Sequence, residues 1–184
     1  LPTVNPHVEI LANGTKHSGK HALKFLQNSD ITFEILPYMY GLNTFDPFVV
    51  EAGSKYVVSC WQKVSSNGSA PPLTSGIEIK WGTSVTQKAQ LKAKTPPIDG
   101  WVLYETEFVI PTTASSATLS ATANTIIDDF RLIPAKGNMK GYVYDPLHRR
   151  IAATLDENHM ATFFEYDAQG KLVRVKKETE KGIL

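Results

Sequence analysis

The chain has 184 residues, of which 42% are hydrophobic and 20% charged, with nineteen basic side chains against eighteen acidic ones. That length holds one ordinary domain plus an appendage, or two small domains, with enough apolar material for a core. A net charge of +1 without a basic block argues against a nucleic-acid partner, and no apolar run approaches the ~20 residues of a membrane helix.

In chain order, strand character appears at "HALKFL" (21–26), "DITFEIL" (30–36), "KYVVSCWQKV" (55–64), "GIEIKW" (76–81), "GWVLYETEFVI" (100–110), "SATLSATA" (116–123) and "TIIDDFRLI" (125–133). These stretches are rich in β-branched and aromatic residues, and most alternate with period two. Turn signals separate them: "ANGTKHSGK" (12–20), "SSNGSAPP" (65–72) and "KTPPIDG" (94–100). No window of a dozen residues keeps an apolar stripe at helical spacing. The chain is therefore expected to be all-β, with two antiparallel sheets packed face to face.

Alternation assigns faces. Tyr56, Val58 and Cys60 share one side of their strand, while Val57, Ser59, Trp61 and Lys63 take the more polar one. Val102, Tyr104, Thr106, Phe108 and Ile110 are assigned to the core, as is Trp81 with Ile77 and Ile79. Asp128 falls in line with Ile126, Phe130 and Leu132, toward the interior, and Asp129 on the opposite face.

Over roughly 5–135 the order "VEIL", "SGKHALKF", "AGSKYVVSCWQKV", "GWVLYETEFVIP" and "IIDDFRLIP" resembles the jelly-roll carbohydrate-binding modules of the galactose-binding-like superfamily. The match is good at both ends and weak through 38–50 and 65–95. Farther on, "GYVYDPLHRRIAATLDENHMATFFEYDAQGKLVRV" (141–175) resembles two YD, or RHS-type, repeats, whose tyrosines, Tyr144 and Tyr166, stand 22 residues apart. Physically, the aspartate after each tyrosine caps a turn, Gly170 takes positive φ, and the flanking strands pair as hairpins. Such repeats are normally stacked in number, so two copies suggest the end of a longer array or a short decorated tail. The expected organisation is a jelly-roll sandwich over 1–135 and a hairpin-repeat extension over 136–184, with the boundary near "IPAKGNMKG" (133–141).

The five histidines show no metalloenzyme spacing, and no nucleophile elbow or phosphate-cradling loop is present. The lone cysteine, Cys60, reads as a small buried hydrophobe rather than a nucleophile; it cannot form an intrachain disulfide and leaves the redox compartment open. The chain opens at Leu1 with neither Met nor a signal-like segment, which fits a mature protein or an excised piece. No enzymatic role is expected.

An inward Asp128 needs a partner, because a buried carboxylate is costly unless paired. Two alternatives stand. The resemblance implies a structural Ca2+ held by Glu9, by carbonyls of the 17–20 loop ending at Lys20, and by Asp128; the plainer reading is backbone N–H donors from that loop. For a ligand, an exposed indole or phenol ring can stack on the apolar face of a sugar, and Trp61, Trp101, Tyr38 and Tyr40 are the candidates, with Trp61 first. Each also reads as ordinary packing. The expected function is a noncatalytic module, secreted or on the cell surface, that binds a carbohydrate or surface glycan beside other domains of a longer parent. The alternative is a structural or adhesion module that spaces or caps a repeat array.

Overall fold

The computed structural model describes residues 7–12, 14–34, 54–64, 70–81, 87–109, 116–145, 147–179 and 181–183. In chain order the strands are β1 (Val8–Ala12), β2 (His21–Phe25), β3 (Ser29–Glu34), β4 (Lys55–Lys63), β5 (Thr74–Trp81), β6 (Gln87–Ala93), β7 (Trp101–Val109), β8 (Ser116–Ala121), β9 (Ile126–Pro134), β10 (Gly141–Tyr144), β11 (Ile151–Leu155), β12 (Ala161–Tyr166), β13 (Leu172–Thr179) and β14 (Gly182–Ile183). All their pairings are antiparallel. The expected all-β class holds.

The first nine strands form one hydrogen-bonded path, β1-β2-β9-β4-β7-β6-β5-β8-β3. β7 and β6 are joined only through Lys92 opposite Glu105 and Ala93 opposite Tyr104, and there the path turns over into two leaves. Between the leaves lies the main core. Tyr56, Val58, Cys60, Val102, Tyr104, Phe108 and Ile127 from one leaf meet Ile77, Ile79, Trp81, Leu91 and Leu119 from the other. Trp81 stacks on Phe108 with ring centres 4.6 Å apart. The alternation read in β4, β5 and β7 places these side chains correctly, because a flat strand sends every second residue to one side. β6, "QKAQLKA", is a strand beyond those expected; it sends Leu91 fully into the core, with Ala89 packed against it.

β9 departs from the reading. Opposite it in β4, Ser59 pairs with Arg131 and Trp61 with Asp128, so two residues, Asp129 and Phe130, face Cys60. This is a β-bulge, and Asp129 sits in it at φ 49°. One extra residue reverses the alternation. Ile127 before the bulge and Phe130 and Leu132 after it face the main core, whereas Ile126 packs on the other side. Asp128 is thus not in line with Phe130, and Asp128 and Asp129 both turn toward the loop at His17 and Ser18.

That other side is not a solvent face. A second sheet, β10-β11-β12-β13-β14, makes a meander over it. Beneath lies a second core of Ala22, Trp61, Ile98, Trp101 and Leu103, against which Met160 of the β11–β12 turn packs. Polar contacts tie the layers: Arg131 Nη1 donates to the Asp156 carbonyl at 2.9 Å, and Lys20 Nζ pairs with Asp145 Oδ1 at 2.9 Å.

Three of the meander's turns are built around an aspartate, at Asp145, Asp156 and Asp167, an 11-residue step, while the β13–β14 turn uses Thr179, whose Oγ1 accepts the Lys181 N–H at 3.3 Å. Asp145 Oδ1 accepts the N–H of Leu147, Asp156 Oδ1 those of Asn158 and Met160, and Asp167 Oδ1 those of Gln169 and Lys171. Gly170 takes φ 86°. Both expected Tyr-Asp hairpins form as read, and the aspartate between them adds a third turn of the same kind.

A truncation tests the layering. Deleting 139–184 is expected to keep the main core but uncover Trp61 and Trp101, at a cost of several kcal/mol, since burying one large side chain contributes about 1.5–3 kcal/mol. Indole fluorescence should shift to the red and the melting temperature should fall. Unchanged emission and melting would show that the meander does not cover these indoles.

Candidate functional site

The ligand candidates Trp61 and Trp101 converge on one place, and it is closed. Trp61 is 0% exposed and Trp101 3%. The Trp61 Nε1–H donates to the His159 carbonyl at 3.0 Å, and the indole stacks on the His17 ring at 4.1 Å with 15° between planes. Trp101 meets His17 edge-on at 5.9 Å, with Lys63 Nζ 5.1 Å over its ring. The expectation of an exposed indole platform is therefore corrected: the face assignment of Trp61 holds, but the meander and the 14–20 loop cover that face. Tyr38 and Tyr40 lie outside the described residues.

The calcium expectation falls on the same junction. Asp128 Oδ2 accepts the backbone N–H of His17 at 2.8 Å and of Ser18 at 3.1 Å, while Oδ1 accepts the N–H of Asp129 at 2.8 Å. These are the amide donors of the plainer of the two readings. Glu9 lies 4.0 Å from Lys24 Nζ with its side chain half exposed, and Lys20 is drawn to Asp145. Among the described residues no group of three or more His, Cys, Asp or Glu side chains could hold a metal ion. Burial, with the charge of Asp129 beside it, pushes the Asp128 carboxyl up to about 6 against the pull of those amides.

What the junction holds instead is a clamp that periodicity does not show. His17 Nδ1 lies 2.7 Å from Asp129 Oδ2, and Nε2 lies 2.7 Å from Glu178 Oε1 of β13. Ser18 Oγ donates to the other Asp129 oxygen at 2.6 Å, and the Ala161 N–H to the other Glu178 oxygen at 2.9 Å. Carboxylates only accept, so both ring nitrogens donate and the ring is an imidazolium. Burial alone would lower its pKa; the bonds to Asp129 and Glu178 outweigh burial and push it up to about 9. The same partnership holds Asp129 below the usual carboxylate range despite its burial. Beside the clamp, burial and then the charge of Arg131 push His159 down to about 3, so it is neutral. Burial pushes the Cys60 thiol up to about 12, as an inert core cysteine requires.

The open site is on the far leaf. On β5, Ile77, Ile79 and Trp81 point into the core, leaving Gly76, Glu78 and Lys80 on the outer face. Register sets Gln90 of β6 and Ser120 of β8 directly opposite Glu78, and Asp30 of β3 opposite Ser120. Four polar side chains thus form one row across four strands, β6-β5-β8-β3. They line a groove of about 550 Å³ together with His7, Gln27 and Asn28. Glu78 is bracketed by Lys80 Nζ at 3.3 Å and Lys88 Nζ at 3.1 Å. Burial works against the charged form, but these two lysines hold the carboxyl below its ordinary range. The Ser120 hydroxyl is buried in the groove wall with no hydrogen-bond partner among the described residues. The sequence carries a trace of this row, since Gly76, Glu78 and Lys80 alternate with apolar neighbours. Which strands would align it was not readable.

The clamp sets a pH dependence. A histidine whose folded pKa lies above its unfolded value of about 6.5 contributes stability that is complete below 6.5 and is lost as pH rises through about 9. His159 has the opposite sign, its contribution being lost as pH falls below 6.5, and Asp128, at about 6, is largely ionised once the pH reaches 7 and changes little above it. Melting temperature should therefore fall between pH 7 and 9.5, and His17→Gln should flatten that slope. The substitution should also cost about 3–5 kcal/mol, the scale of leaving buried charges without their partner. A wild-type melting temperature independent of pH over this range would refute the clamp.

No family model matches the chain, and no curated protein matches it. Among solved structures, a similar chain is the crystallographic structure of the Clostridium thermocellum N-terminal endo-1,4-β-D-xylanase 10B CBM22-1-GH10 modules complexed with xylohexaose. It is 19% identical with a TM-score of 0.43, over 78% of this chain and 27% of that one. The chain thus spans about a quarter of the length of that protein.

Proposed function

We propose that this chain is a noncatalytic carbohydrate-binding module whose ligand lies across the outer face of the β6-β5-β8-β3 leaf. The row Gln90–Glu78–Ser120–Asp30 carries this reading. A sugar presents hydroxyls that donate and accept at once. The row answers with a carboxylate acceptor at Glu78, the Gln90 amide that does both, and the Lys80 and Lys88 donors beside it, while the Ser120 hydroxyl lies buried in the wall. The groove volume falls within the range of small-ligand sites, about 300–1,000 Å³. Glycosidic cleavage would need a carboxyl held protonated, and the two lysines do the reverse to Glu78. Binding without turnover is the chemistry the groove supports. A secreted or cell-surface location within a larger protein belongs to this reading.

Affinity electrophoresis of the intact chain through gels carrying soluble polysaccharides tests it. At least one polysaccharide should retard the protein. Glu78→Ala with Gln90→Ala should weaken that retention roughly ten- to a hundredfold, the scale of losing hydrogen bonds to a charged group and a neighbour. Retention unchanged by the double substitution would move the ligand elsewhere. No retention on any polysaccharide would favour the alternative, a structural module that spaces or caps a hairpin array, to which the docked meander lends support.

A further inference from the structure

A second cavity, about 290 Å³, opens on the meander between the two Tyr-Asp turns. Its lining combines apolar Ala152, Phe164 and Ala168 with polar Arg150, His148 and Asp167. The Arg150 guanidinium is placed by two contacts, neither of them polar. It lies over the Tyr166 ring, 5.5 Å from the centroid. Its other side rests on Gly170, where any Cβ would run into it. Tyr166 is itself fixed, donating its hydroxyl proton to the Ile151 carbonyl at 3.0 Å. Yet among the described residues the Arg150 guanidinium makes no hydrogen bond and no ion pair, although the residue's carbonyl accepts the Asp145 N–H at 2.8 Å.

The nearby carboxylates do not serve it. Asp145 is taken by Lys20, by His148 Nδ1 at 2.7 Å and by the Leu147 amide, while Asp167 Oδ1 holds the two amides of its turn. A planar cation, pre-oriented over an aromatic ring and lacking an acceptor, suits a carboxylate, which it grips by two parallel N–H bonds. The remaining lining asks for more than a bare anion. Phe164, Ala152 and Ala168 offer an apolar surface, and the second Asp167 oxygen offers an acceptor for hydroxyls.

We propose that this cavity binds the carboxylate-bearing residue of an acidic oligosaccharide: the carboxylate on Arg150, a hydroxyl on Asp167, and the C–H face of the ring against Phe164. The inference rests on the carbohydrate reading above for its ligand class, but it uses a separate sheet and separate residues.

The test follows the signals of Tyr166 and His148 by NMR in the intact chain, titrated with tetragalacturonate and with the same tetramer after its carboxyls are reduced. The acidic tetramer should perturb those signals and bind roughly tenfold or more tightly than the reduced one, the scale of a charge-assisted hydrogen-bonded pair. Arg150→Met, which keeps the stem on Tyr166, should abolish the preference, and Arg150→Lys should keep only part of it. Glu78→Ala should leave these shifts unchanged, so failure of the groove and failure of this site read out separately. Equal binding of the two tetramers, no perturbation around Tyr166, or an Arg150→Met variant that still discriminates would each overturn the proposal. Tetraglutamate binding as tightly as tetragalacturonate would overturn the sugar assignment.

Discussion

A single imidazolium, His17 held between Asp129 and Glu178, joins the parts of this fold. One carboxylate comes from the last strand of the sandwich and the other from β13 of the meander, while the histidine stands in the loop before β2. Buried charges tend to be neutral in their net effect on stability when every one is paired and strongly destabilising when one is not. Here the pairing is complete: both ring nitrogens donate, and Ser18 and the Ala161 amide take the remaining carboxylate oxygens. The indole of Trp61 lies flat on the ring, so the charge is enclosed by apolar surface as well as by its partners. The clamp works less as a source of stability than as a specification, because another placement of the meander would leave a charge buried alone.

The bulge at Asp129 makes the clamp possible. A regular β9 would send Asp128 and Asp129 to opposite faces, one of them into the main core beside Phe130. The extra residue opposite Cys60 turns both toward His17 and Ser18, where three backbone amides answer Asp128 and two side chains answer Asp129. A non-glycine residue at φ 49° carries some backbone strain, and aspartate is among the residues that tolerate it best. The positive φ at this one position is thus repaid locally, by bonds that only the bulged geometry can form.

Much of this fold is legible in the sequence where the rule behind it is local. Alternation in β4, β5 and β7 places Tyr56, Ile79 and Tyr104 in the core because period two is a property of one strand. The Tyr-Asp turns are legible for the same reason, since an aspartate bonds amides two and four residues ahead of it. Trp61 marks where this kind of reading ends. Its face was correctly assigned, yet "polar side" does not mean "solvent side" once residues a hundred positions later fold over it. The Asp128 error has a second origin: a bulge leaves no mark in composition, and one inserted residue reverses every assignment beyond it. The groove row depended on register among β6, β5, β8 and β3, which no strand carries by itself.

The two faces of the sandwich have therefore separated in role. One leaf is closed by the meander, with its tryptophans used as packing and its acids used as a clamp. The other carries the aligned polar residues Gln90, Glu78, Ser120 and Asp30, on which the proposed carbohydrate binding rests. This division depends on His17 being charged and doubly bonded at neutral pH. Its ring nitrogens can be observed directly by 15N NMR of the histidine-labelled chain, titrated from pH 6 to 10. The account predicts two protonated ring nitrogens at pH 7.5 and a titration centred near 9. A ring that is singly protonated at pH 7.5, or that titrates at or below the ordinary value of about 6.5, would contradict it.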